Sequence, residues 1–190
     1  MEHRIDPWLI LAVVGIFGAS LTTLHSISRV VGTNLLVRQL VWGGVGLIVL
    51  WLLARVRLDV YQRLAPLLYV ISLLALIVVL VFGVVRGGNR AWLALGPLTI
   101  QPSEFARLGT ILLAAAWLAN RGGRHLKMHE VVVAVGIVAA PILLFLLEPD
   151  LGVGMTYLPI LGAVLWLGGL PRLVWILLMM ITLLGAYATW

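Results

Sequence analysis

The sequence predicts an all-α integral membrane protein of about seven transmembrane helices with a cytoplasmic N-terminus, and three observations carry that prediction. Of 190 residues, 63% are hydrophobic and only 11% charged, and the mean hydropathy of +1.14 is far above what a soluble core of this length requires. The apolar residues fall in runs near twenty, long enough to cross a hydrocarbon layer of about 30 Å as helices. The period-two alternation of a transmembrane barrel is absent. Closed barrels and helices are the two structures that satisfy every backbone polar group inside lipid, so helices remain.

Taken in order, the spans fall at about 8–24, 36–54, 64–85, 105–119, 131–147, 151–168 and 172–190. The first lacks a small-residue cleavage site and reads as a retained signal anchor. Short polar connections join the spans, and no linker or low-complexity tract divides them, so residues 1–190 read as a single membrane domain. With the N-terminus inside, the inner connections hold Arg4, Arg55, Arg57, Arg63, Arg121, Arg124, Lys127 and Arg172. The outer side then holds Arg29, Arg38, Arg86, Arg90 and Arg107, and the excess of basic residues inside sets the orientation. The last span stops at Ala188-Thr189-Trp190 without a polar tail, the mark of a sequence that continues in a longer protein.

The formal charge of +6 would suggest nucleic acid in a soluble chain. Here it follows the inner loops, so the expected surface partner is anionic membrane lipid and no nucleic acid. Cysteine is absent, which excludes disulfides and thiolate metal sites. The His125 and His129 pair beside the inner basic cluster lacks metal-ligand spacing.

One polar insert interrupts the apolar pattern. Between Gly87 and Arg107 the sequence reads GGNRAWLALGPLTIQPSEFAR. Intramembrane or membrane-edge charges are costly unless they pair or line water, so this insert is a site by default. Gly87, Gly88 and Asn89 permit a tight turn, and Gly96-Pro97 a second one. Arg90 and Trp92 combine a fixed positive charge with an amphipathic plate, suited either to a lipid phosphate or to interfacial anchoring. Ser103 suits an N-cap and Glu104 the positive end of the helix dipole. Glu104 and Arg107, three residues apart, can pair on one helical face at the mouth of the fourth span.

A second polar site is Glu148-Pro149-Asp150-Leu151-Gly152. Pro149 breaks the helix and leaves Asp150 able to cap the next one, or to face the same outer cavity as Arg90 and Arg107.

The insert resembles the signature of the SEDS family (shape, elongation, division and sporulation), in which a Gly-rich turn is followed by Arg, Trp, Gly and then Q-P-S-E. Arg90, Trp92, Gly96, Gln101, Pro102, Ser103 and Glu104 match that pattern, with Arg107 where the family usually has Lys. LEPDLGVG resembles the second family motif through Pro149, Asp150, Leu151 and Gly152, with Glu148 and Val153 as departures. The resemblance extends over the whole chain. It implies a ten-span peptidoglycan glycosyltransferase that polymerises lipid II at the outer face of the cytoplasmic membrane and works with a class B penicillin-binding transpeptidase. It also implies that the family's catalytic Asp lies in an outer loop beyond Trp190, so no catalytic residue is expected in this stretch, and Asp150 belongs to a different motif. Arg90, Trp92, Gln101, Ser103, Glu104, Arg107 and Asp150 are the expected substrate-binding residues. Arg90 and Arg107 would face the lipid diphosphate, Trp92 would order the insert or pack on substrate, and Glu104 and Asp150 would position the cationic side chains. A lipid II flippase and a non-catalytic membrane interaction protein are the alternative functions.

Overall fold

A computed structural model describes residues 7–31, 35–86, 89–95, 98–147, 151–170, 176 and 180. The chain divides into two compact units, residues 1–57 and 58–190.

The first unit is a helical hairpin. α1 runs from Pro7 to Val31 and α2 from Leu35 to Ala54. The sequence places the end of the first span at residue 24, and the helix continues past it. Its late hydroxyls are satisfied by its own backbone: Thr22 and Thr23 donate to the Ala19 carbonyl at 2.8 and 2.9 Å, and Ser26 to that of Thr22 at 3.2 Å. Such back-bonding lets short polar side chains stay helical in an apolar setting. The hairpin is pinned by the Gln39 amide donating to the Ser20 hydroxyl at 3.2 Å, and the Phe17 ring fills the space beside Gly43.

The second unit starts with α3, Leu58–Phe82, which carries Pro66 in its interior. Three short strands follow: β1 Val84–Arg86, β2 Asn89–Leu95 and β3 Leu98–Ile100. They form an antiparallel sheet in the order β1-β2-β3, with Val84 opposite Trp92, Leu93 opposite Ile100, and an irregularity in the β1–β2 register. The polar insert, expected within an all-α chain, is therefore a three-stranded meander. The turns foreseen at Gly87-Gly88 and Gly96-Pro97 lie outside the described residues.

α4 spans Pro102–Ala119 and α5 spans Met128–Leu147. The sixth expected span is two helices, α6 Leu151–Met155 and α7 Tyr157–Leu167, broken at Thr156. The break is slight: Thr156 keeps helical dihedrals, φ −68° and ψ −12°, and its hydroxyl donates to the Val153 carbonyl at 2.6 Å. The seventh expected span lies outside the described residues except for Ile176 and Met180. Among the described residues, four helices (α1, α2, α3 and α5) are long and apolar enough to cross a membrane. α4 is interrupted by Glu104 and Arg107, and the pair α6–α7 supplies only a shorter apolar stretch.

The core of this unit lies where α3, α4, α5 and α7 meet. Leu76, Ala106, Val138, Phe145 and Tyr157 form one cluster, and Ala114, Ala134, Val164 and Leu165 form a second. Small residues dominate α4's buried face, as expected where helices associate in lipid by close packing rather than by hydrophobic burial. Gly109 marks the closest approach: a Cβ there would sit 2.9 Å from the Ser72 hydroxyl and 3.1 Å from the Tyr69 Cα of α3. Most large aliphatic side chains point outward, which suits a lipid surround.

Candidate functional site

Pro102 sets how α4 begins. Proline restricts the residue before it to extended backbone and is itself suited to the first helical position. Gln101 accordingly has φ −101° and ψ 107° and occupies the N-cap position, without a side-chain cap hydrogen bond. Ser103 therefore lies one position inside the helix, and the expectation that it caps α4 is corrected. Its side chain turns into the protein, only 1% exposed, with its hydroxyl unpartnered among the described residues.

The next turn carries the expected ion pair. The Arg107 Nη1 lies 3.2 Å from the Glu104 Oε2, with the Glu104 side chain 55% and the Arg107 side chain 28% exposed. The carboxylate thus faces outward while the guanidinium straddles the boundary. Its Nε is buried and, among the described residues, has no hydrogen-bond partner. Ser103, Arg107 and Thr110 follow one another at helical spacing on one stripe of α4, with Ala106 between them in the core cluster.

Strand β2 presents Arg90 and Trp92 on one face, because alternate residues of a strand share a face. Ala91, on the other face, is buried. The aliphatic stem of Arg90 lies against Gly83, just after α3, and its head is exposed. β2 packs on both α3 and α4, so the sheet sits over the end of α3 and the start of α4. The structure thereby gathers Arg90, Trp92, Gln101, Ser103, Glu104 and Arg107 around one end of the helical unit. Asp150, with Glu148 and Pro149, lies outside the described residues.

Tyr157 is the residue that sequence reasoning missed. It is fully buried, packs on Phe145 with ring centroids 5.2 Å apart, and places its hydroxyl within electrostatic reach of Thr110, Arg107 and Glu104. Its sequence signal was only one phenol in an otherwise aliphatic segment.

At the opposite end of α4 the inner basic cluster is more than a topology signal. Glu130 is buried, ion-paired to Arg121 and, at 3.4 Å, to Arg124, and it accepts the Lys127 backbone N–H at 2.8 Å. Glu130 is the third residue of α5, so this last contact is the carboxylate half of a capping box. The Arg121 guanidinium also lies 3.8 Å above the Trp117 ring. No group of metal-ligating side chains occurs among the described residues.

Comparison with known proteins converges on one family. The family pattern described as cell cycle protein, covering FtsW, RodA and SpoVE, matches residues 4–189. The chain is 33% identical to the probable peptidoglycan glycosyltransferase FtsW of Nitrosococcus halophilus, over 95% of this chain and 49% of that protein. It superposes with a TM-score of 0.79 on the rod shape determining protein RodA of Thermus thermophilus, at 33% identity, covering 95% of this chain and 60% of that one. A chain of a peptidoglycan synthase complex that coordinates polymerization and crosslinking gives a TM-score of 0.83 at 34% identity, covering 98% of this chain and 55% of that one. The chain spans about half the length of the curated relative described here.

Proposed function

The chain belongs to the FtsW/RodA/SpoVE family of multi-pass bacterial inner-membrane proteins, and on that premise we propose that it is the N-terminal membrane portion of a peptidoglycan glycosyltransferase polymerising lipid II at the outer face of the cytoplasmic membrane. The observation that carries the reading is the paired, partly buried Arg107 at the start of α4, beneath a sheet that offers Arg90 and Trp92 on one face. A lipid diphosphate is doubly recognisable there. Its oxygens match the planar donor fork of a guanidinium, and its chain can remain in lipid beside α3 and α4.

Glu104 gives the proposed site its selectivity. In the substrate-free protein it balances Arg107, so a lipid bearing no strong anion has little to gain by displacing it. A diphosphate takes over the guanidinium and leaves the exposed carboxylate to water. The residues of this chain bind and orient. The proton leaving the acceptor hydroxyl is taken by a group outside it, and Asp150 supports the cationic site rather than performing the transfer. A class B penicillin-binding transpeptidase is the proposed partner, supported by the likeness to a chain of a peptidoglycan synthase complex.

The test uses the complete protein reconstituted in liposomes with lipid II. Arg107→Ala should reduce glycan polymerisation at least tenfold at unchanged membrane abundance. Polymerisation at the wild-type rate would sink the reading. Loss of lipid II translocation, with polymerisation intact, would establish the transport alternative instead.

A further inference from the structure

Buried polar groups are almost always hydrogen-bonded, so unpartnered ones in a well-packed core need a reason. Two fall in one part of this protein, since Tyr157 packs in a cluster with Ala106, the residue before Arg107, and its hydroxyl lies within electrostatic reach of Arg107. The Arg107 Nε and the Tyr157 hydroxyl are both buried and unpartnered among the described residues, one on α4 and the other at the start of α7. Tyr157 is held rigidly, fully buried in the cluster with Ala106, Leu76, Val138 and Phe145. Ala106 is the immediate neighbour of Arg107 on α4, and Thr110, one turn on, completes the local polar set. The Thr110 hydroxyl donates to the Ala106 carbonyl at 2.7 Å, which fixes its proton and leaves its lone pairs free to accept.

We propose that Tyr157 is a positioning residue for Arg107, its hydroxyl closing a hydrogen-bond chain onto the guanidinium when an anionic group occupies the site. The donors run in one direction. Arg107 Nε–H donates to the Tyr157 oxygen, the Tyr157 O–H donates to Thr110, and Thr110 donates to the Ala106 carbonyl. Without an anion, Glu104 holds the guanidinium outward through Nη1 and the first link stays open. When a diphosphate oxygen replaces Glu104, the guanidinium plane turns and Nε–H meets the phenol. The bond is made in the complex and not in the free protein, so it contributes to binding and catalysis rather than to folding. This inference rests on the proposed role of Arg107 and adds the residue that orients it.

The experiment turns on that difference. Tyr157→Phe in the complete protein keeps the ring packing and removes an unpartnered hydroxyl. A purely structural tyrosine would give an unchanged or raised melting temperature and an unchanged rate. The positioning role gives the same melting temperature or higher, together with a fall of about tenfold in kcat/KM for lipid II polymerisation. It further requires that Tyr157→Phe have no added effect in an Arg107→Gln background, and that Thr110→Val and Tyr157→Phe be less than additive. A wild-type rate for Tyr157→Phe overturns the proposal, as do a fall in rate matched by a fall in melting temperature and full additivity with Arg107→Gln. Wild-type activity of Arg107→Ala would instead overturn the reading of the site itself, whatever Tyr157→Phe does.

Discussion

Glu130 shows how a single buried charge organises its surroundings. One carboxylate oxygen takes both arginines of the α4–α5 connection and the other takes the Lys127 N–H. Removing one partner of a buried pair leaves the others uncompensated, which costs more than the pair itself contributes. Glu130→Gln should therefore loosen the 121–127 connection, seen as a lower melting temperature and faster proteolysis there. Arg124→Gln, whose side chain is 63% exposed, should change stability by less than about 1 kcal/mol. Sequence reasoning saw Arg121, Arg124 and Lys127 and read orientation from them, but Glu130 was hidden at the edge of an apolar run. It was readable as an acid three residues into a helix, had the start of α5 been set at Met128. Ser103 was misread for a related reason. Proline fixes the helix start by its ring geometry, and Pro102 moved the cap to Gln101.

At the level of elements, two prolines inside helices raise a bookkeeping question about carbonyls. Pro141 has no N–H, so the Ile137 carbonyl one turn earlier loses its helical partner. The Tyr69 hydroxyl of α3 fills the gap, donating to Ile137 at 2.7 Å. The helix break is thus converted into a tie between α3 and α5. Tyr69→Phe should cost about 1 kcal/mol, measurable as reduced stability of the protein in detergent, since intramembrane hydrogen bonds typically contribute about that much. Helices α2, α4 and α5 were legible from apolar run length. The strands were not, because two of them are only three residues long and Gly87-Gly88 and Gly96-Pro97 between them read as loop. A weak signal existed in β2, where Arg90, Trp92 and Ala94 alternate with Ala91 and Leu93.

For the molecule as a whole, α4 acts as a measuring rod. Its 18 residues extend about 27 Å, close to the hydrocarbon thickness, with the ion pair at one end and the Glu130 cluster near the other. If the insert faces outward, a cysteine placed at Asn89 should react with a membrane-impermeant maleimide in intact cells, and one at Gly123 only after permeabilisation. The reverse pattern would invert the topology. The general plan was legible because lipid imposes helices and run lengths. The number of spans was less so, since the segment after Asp150 divides at Thr156, where Pro159 lacks the N–H that would bond the Met155 carbonyl and the apolar run itself continues.

The polar stripe on α4 also has a consequence for biosynthesis. Glu104 and Arg107 make α4 a poor candidate to partition into lipid by itself, and three of its inward partners, Val138, Phe145 and Tyr157, reside on helices translated later. α3 emerges first and offers the groove against Gly109, but Tyr157 is made some fifty codons after Arg107, about 50 residues further along the chain. During that interval, several seconds at about 5–20 residues per second, the nascent segment needs water or the insertion machinery beside its charges. Membrane integration of this region is therefore a concerted event, completed when α7 arrives and seals the stripe from the bilayer.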